Sequence, residues 1–137
     1  MTGATKATDL DAALKGMACS QHTLLEQLEP LRGDIHACTD ITGFGLLGHL
    51  GEMLQNRTGL RILLDGAAIP AYSGALDLFE RGISSTLASS NMAAWRWLEG
   101  TVQLQQPPSA TLLELLVDPQ TCGCLLYTSD AADDLWC

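Results

Sequence analysis

Between Ile35 and Gln55 the spacing of apolar residues changes period, and that change constrains most of what this chain can fold into. Ile35, Ala37 and Thr39 alternate with His36 and Cys38, so Ile35–Thr39 reads as a short strand with two distinct faces. From Phe44 to Gln55 the apolar positions Leu46, Leu47, Leu50, Met53 and Leu54 recur at three- and four-residue spacing, which predicts a helix. A strand that turns through Ile41-Thr42-Gly43 into an apolar helix requires a layered fold that covers both. Gly43, Gly45, Gly48 and Gly51 make that helix costly, by roughly 1 kcal/mol for each interior glycine. Such a cost implies close backbone approach at the turn, either to a ligand or to a facing element.

The remaining elements follow from the same patterns. Asp9–Glu29 reads as a first helix, with Leu10, Leu14 and Met17 followed by Leu24, Leu25 and Leu28. Gly16 weakens its middle and Ser20 could cap a restart, so two shorter helices also fit; Pro30 ends the stretch. Leu60–Leu64 predicts a second strand, turning out at Asp65-Gly66. Leu76–Arg81 and Thr111–Val117 predict short helices, stopped by Gly82 and by Asp118-Pro119. Along Asn91–Leu98, Trp95 and Trp97 flank Arg96, and strand and helix both remain open. Helices alternating with sparse strands indicate a single α/β domain, with α+β also compatible.

Charge narrows the partners. A formal net charge of -9, with Lys and Arg totalling 7, argues against a nucleic-acid backbone. A nucleotide is not excluded, because one phosphate site needs only a few backbone N–H groups and a bridging cation. No run approaches eighteen apolar residues, and the N-terminus lacks the basic-then-apolar order of a signal peptide. No membrane partner and a cytoplasmic location are therefore expected. The cysteines Cys19, Cys38, Cys122, Cys124 and Cys137 are odd in number, and Cys122-x-Cys124 is tighter than a CxxC knuckle. Unpaired thiols fit better than a zinc or disulfide framework.

Candidate chemistry concentrates in His36–His49, HACTDITGFGLLGH. Asp40 stands where the strand gives way to the turn. A carboxylate there can coordinate Mg²⁺ while helix N–H groups meet phosphate. Thr39 and Thr42 could donate hydroxyl hydrogen bonds. The plainer alternative makes Asp40 or Thr42 an N-cap. Gly43-Phe44-Gly45 is neither a Rossmann fingerprint nor a Walker loop, since the third glycine and the lysine are lacking. His49 lies three residues before Glu52, which favours an ion pair or satisfied histidine over a metal pair without a third ligand. Cys38 reads as a buried, inert thiol. A second polar cluster, Asp118-Pro119-Gln120-Thr121-Cys122-Gly123, follows a helix and could be only a helix stop.

At these two clusters the chain resembles the selenophosphate synthetase family, within the superfamily of aminoimidazole ribonucleotide synthetase. That family commonly carries a TD[VI]TGFGLLGH run, matched here from Thr39 to His49, and a DPQTSGGLL run, matched from Asp118 with Cys122 in place of serine. Ser84–Asn91 also sits where the family has a Gly/Ser/Thr-rich loop ending in Asn. The resemblance covers roughly residues 3–126 and implies the family's C-terminal domain, a mixed sheet flanked by helices. It further implies an enzyme that converts selenide to selenophosphate with ATP and Mg²⁺, releasing AMP and phosphate. Asp40 would be the aspartate this domain lends to the metals, with Thr39, Thr42 and Gly43 shaping the nucleotide-side turn. Another member of the superfamily, of aminoimidazole ribonucleotide synthetase or hydrogenase-maturation type, is the alternative enzyme. A non-catalytic nucleotide-binding or dimerisation module is the third reading.

By the same resemblance, the catalytic Cys or Sec, its neighbouring Lys and the other metal aspartates belong to an N-terminal domain outside this chain. No catalytic residue is expected here, Cys19 and Cys38 included, and the isolated chain should be inactive. The partners implied are that N-terminal domain, a second copy in a homodimer, ATP and selenide. Residues 1–123 read as a partial C-terminal domain, truncated at both ends. The string CLLYTSDAADD departs from the family and resembles a translated sequencing adapter, so 124–137 reads as a non-native, frayed acidic tail. That tail holds Asp130, Asp133 and Asp134 with no Lys or Arg; excluding it moves the net charge from -9 to -6.

Overall fold

The computed structural model describes residues 4–55, 57–121 and 123–129. In chain order the elements are α1 (Ala7–Met17), α2 (His22–Leu28), β1 (Ile35–Asp40), α3 (Gly45–Met53), β2 (Ile62–Leu64), α4 (Ala75–Glu80), α5 (Ala88–Leu98), β3 (Val102–Leu104), α6 (Ala110–Val117) and β4 (Leu125–Ser129). Burial alternates along β1: Ile35, Ala37 and Thr39 are half-buried, while His36, Cys38 and Asp40 are exposed. That is the two-faced strand the spacing predicts. The first helical stretch divides, as the Ser20 alternative allows, and the His22 N–H donates to Ser20 Oγ at 3.2 Å. Pro30 falls in a 3-10 turn, Glu29–Leu31, that closes the stretch.

Asn91–Leu98 resolves as helix. Residues two apart on a helix point about 200° apart, so Trp95 packs against the core while Trp97 stays 87% exposed. The core is built where α3, α5 and α6 pack on one another. Leu46, Leu47 and Leu50 from α3 meet Ala88 and Leu98 from α5 and Leu116 and Val117 from α6. Leu64, Val102, Ile41 and Leu126 complete it. Leu47, Leu116 and Val117 expose no surface, and each such side chain contributes roughly 1.5–3 kcal/mol of burial.

The α/β reading holds, and both strand senses of a mixed sheet occur, but in two separate ladders. β2 and β3 run parallel with Ile62 opposite Val102 and Leu64 opposite Leu104. A parallel pair needs a crossover, which α4 and α5 supply. The sequence pattern did not predict β3, whose three residues are too few to show a period.

β1 and β4 run antiparallel, with Thr39 opposite Leu126 and Asp40 opposite Leu125. This corrects the expectation of a frayed stretch from Cys124 onward: Leu125–Ser129 is a strand, and Leu125 and Leu126 are buried. The physical reason is local. Its apolar and aromatic residues favour strand, and β1 otherwise presents an open edge. Cys122, Cys137 and the aspartates of the last eight positions lie outside the described residues. No described helix is long and apolar enough to cross a membrane.

Candidate functional site

Stretches far apart in sequence meet where β1 ends. Ile41 N donates to Cys124 O at 3.0 Å, and Gln120 N donates to Thr42 O at 3.0 Å. From α5 the Asn91 amide donates to Gly43 O at 2.9 Å and to Val117 O at 3.0 Å. The TDITGFG run, Gln120, Cys124 and Asn91 are thereby tied together, Asn91 through its side chain and from within α5, where the sequence reading had a loop. Gly45 has φ 69, and a Cβ there would sit 2.7 Å from the Val117 carbonyl carbon. The costly glycines thus answer in part to a facing element of the same chain. Gly123 does likewise, since a Cβ would fall 2.3 Å from Ile41 O.

Asp40 occupies the last position of β1 with its side chain exposed. Its carboxylate makes no hydrogen bond or ion pair among the described residues. Thr39 is half-buried, and its hydroxyl makes a long 3.4 Å contact with the Asp40 carbonyl. Neither Asp40 nor Thr42 caps α3: Phe44 holds that position, with no side-chain cap. Gly45 N–H is spent on Thr42 O at 3.0 Å, and Gly45, Leu46 and Leu47 are buried. The start of α3 is therefore packed against Val117 and Asp118, which leaves little room for the expected phosphate contact. Gly43 contributes its carbonyl to Asn91, and a Cβ at Gly43 would meet nothing within 4 Å.

The Thr42 side chain turns to His49 instead. His49 is 6% exposed, and its Nε2 accepts the Thr42 N–H at 3.0 Å and lies 3.1 Å from Thr42 Oγ1. On the other side, Nδ1 is 3.0 Å from Glu52 Oε2. His49 is the satisfied histidine its spacing favoured, though buried where a surface pair was one option. The tautomer follows from the partners. A nitrogen that accepts an amide hydrogen carries none, so the ring hydrogen lies on Nδ1 and is donated to Glu52.

Two groups nearby have displaced acidities. Partial burial of the thiol, then the neighbouring Asp40 carboxylate, pushes the pKa of Cys38 up, but the residue is exposed, which corrects the expectation that it is buried. Burial likewise pushes the Asp118 carboxyl up, with Glu114 adding to the effect and the hydrogen bond from Gln120 opposing it. Asp118 opens onto a cavity of about 490 Å³ that Ile41, Tyr72, Phe79 and Gln120 also line. Among the described residues no Lys or Arg lines that space, so a phosphate is a poor occupant.

Among the described residues, no group of three or more His, Cys, Asp or Glu side chains is arranged to hold a metal ion. Mg²⁺ takes one or two protein carboxylates and completes its octahedron with phosphate oxygens and water. Asp40, exposed and without a side-chain partner among the described residues, fits as one such carboxylate. Sequence reasoning named Asp40, Thr39, Thr42 and Gly43; Thr39 and Asp40 close β1, and Thr42 and Gly43 follow it before α3. It did not assign Asn91 a role, although the Ser/Thr-rich loop ending at that residue was a usable signal.

The fold and the turn together define an α/β domain that presents a single carboxylate at a strand end. The profile of the family described as "AIR synthase related protein, C-terminal domain" matches residues 3–134, and the chain belongs to that family. It is similar to proteins named "Selenide, water dikinase". The one from Agathobacter rectalis is 37% identical over 100 residues, covering 73% of this chain and 28% of the relative. That from Caldanaerobacter subterraneus is 32% identical over 141 residues, covering 93% and 40%, and that from Pelobacter propionicus is 43% identical over 94 residues, covering 67% and 25%. The chain therefore spans less than half the length of these relatives.

Proposed function

We propose that this chain is part of an ATP-dependent enzyme that makes selenophosphate from selenide, releasing AMP and phosphate. The relatives' shared name supports the reaction, and the two motif runs that meet at the β1 exit support the assignment of the site. One observation carries the site: the Asp40 carboxylate is exposed and unpaired among the described residues, on a turn whose backbone is held from several directions. Asp40 would hold Mg²⁺ as a single ligand. A cation held by Asp40 would supply charge neutralisation during phosphoryl transfer.

This chain's own residues do the positioning. The hydrogen bonds of Ile41, Thr42 and Gly43 fix the backbone on the C-terminal side of Asp40, so only side-chain rotamers are lost on ligation. Thr39, Thr42 and Gly43 shape that turn. The nucleophile and the remaining metal ligands are assigned to an N-terminal domain in the full-length protein, which acts as a cytoplasmic homodimer. Residues 1–123 belong to the C-terminal domain of that enzyme, while 124–137 are non-native in origin; genomic DNA read across Gly123 tests that boundary.

The decisive experiment measures selenide-dependent AMP formation by the full-length protein. Asp40→Asn should lower turnover on the order of a hundredfold while leaving the thermal midpoint in place. Wild-type turnover in that variant would refute the site assignment. The 137-residue chain alone should form no AMP from ATP and selenide, and AMP formation by it would remove the division of labour proposed here.

A further inference from the structure

We infer that the cavity between α1 and α6 is a binding site for a small organic cation, an amine with an apolar body whose ammonium group meets Asp118. The cavity measures about 490 Å³, within the range of small-molecule sites. Ile41, Leu46, Phe79 and Leu115 make most of its wall apolar, and Asp118 supplies the one carboxyl among its described lining residues. From α1 come Ala13 and Met17, and that helix buries none of its own residues. The α1 side of the wall is therefore the side least fixed by packing, and the one that can yield to an entering molecule.

Charge selects the occupant. Asp118 Oδ2 accepts from Gln120 Nε2 at 3.0 Å, and the other carboxyl oxygen has no hydrogen bond among the described residues. Four residues earlier, Glu114 Oε1 is buried without a hydrogen-bond partner. With no described Lys or Arg in the lining, nothing there balances Asp118. Burial and the nearby Glu114 both disfavour a negative charge on it. A ligand that carries its own positive charge reverses that penalty, because an opposite charge favours the ionised carboxyl. Its N–H groups also serve the oxygen left over. Tyr72 and Phe79 add aromatic rings to the lining, and ring faces attract cations. An anion would meet only repulsion, and a neutral molecule of the same shape forgoes the charge-assisted bond.

The probes are phenethylammonium, its neutral counterpart phenethyl alcohol and the anion hydrocinnamate, each titrated into the full-length protein at neutral pH and followed by calorimetry. The ammonium should bind saturably and roughly tenfold tighter than the alcohol, and the anion should not bind. Asp118→Asn should remove the preference for the ammonium over the alcohol. Ala13→Phe, which places a ring at the cavity wall, should abolish binding of both. Asp40→Asn should leave the ammonium affinity unchanged, so failure here and failure of the Asp40 reading are separate results. No saturable binding of the ammonium, an alcohol that binds as tightly, or a preference that survives Asp118→Asn would overturn the inference, as would unchanged affinity in Ala13→Phe.

Discussion

Asn91 should behave as the tie that holds the site together, and its removal can be priced from the structure. Its half-buried amide donates to Gly43 O at 2.9 Å and Val117 O at 3.0 Å, across 48 and 26 residues of sequence. Asn91→Ala leaves both carbonyls without that donor. Each unsatisfied buried group costs about 1–3 kcal/mol, and partial access to water favours the lower half, so a loss of about 2–4 kcal/mol is expected. Against a total of about 5–15 kcal/mol for a domain, this is a large fraction. Asn91→Asp sharpens the test. It keeps the shape yet turns a carboxylate oxygen toward carbonyl oxygens, so it should destabilise more than alanine despite being nearly isosteric. Urea unfolding followed by Trp fluorescence reads both, since Trp95 lies on the same helix and packs on the core. A loss under about 0.5 kcal/mol for the alanine variant, or an aspartate variant more stable than alanine, would refute the reasoning.

The other expectations concern single positions. Gly45→Ala should cost more than about 2 kcal/mol, from positive φ together with overlap on the Val117 backbone, whereas Gly43→Ala should stay within about 0.5 kcal/mol; chemical denaturation of the pair checks the contrast. Because the folded Asp118 carboxyl is shifted upward, its neutral form suits the native state. Its contribution is fully present below the ordinary aspartate value and is lost as pH rises through the folded one. Asp118→Asn should therefore match wild type in acid and gain on it toward neutral pH, and denaturation midpoints across that range with no such gain would count against the assignment. Asp40→Asn should speed alkylation of Cys38, because the aspartate helps hold that thiol protonated; mass-spectrometric labelling rates give the answer.

Local patterns were legible because their causes are local. The β1 alternation, the α3 spacing and the stop after α6 each depend on residues within a few positions, and each stands in the structure. β3 escaped because three residues carry no period, and its partner β2 lies some forty positions earlier. Asn91–Leu98 could not be settled from Trp95 and Trp97, since which one is buried depends on how α5 meets α3 and α6. At the site, Asp40 was legible as a carboxylate at a strand end. The tie from Asn91 was not, because a single polar residue says nothing about which distant carbonyl it will meet. The link between His49 and Thr42 joins residues only seven apart, yet the turn between them had to close before the ring could reach.

The Asp40 side chain, unlike its backbone, adds little to holding the domain together, since it makes no hydrogen bond or ion pair with a described residue and is exposed. Folding therefore exerts no pressure on the identity of that side chain. On the proposed reading, a single-base change there would leave a domain that melts normally yet contributes nothing to a metal. Inert copies of such a domain would pass every test of structural integrity, and only a binding or turnover measurement would expose them.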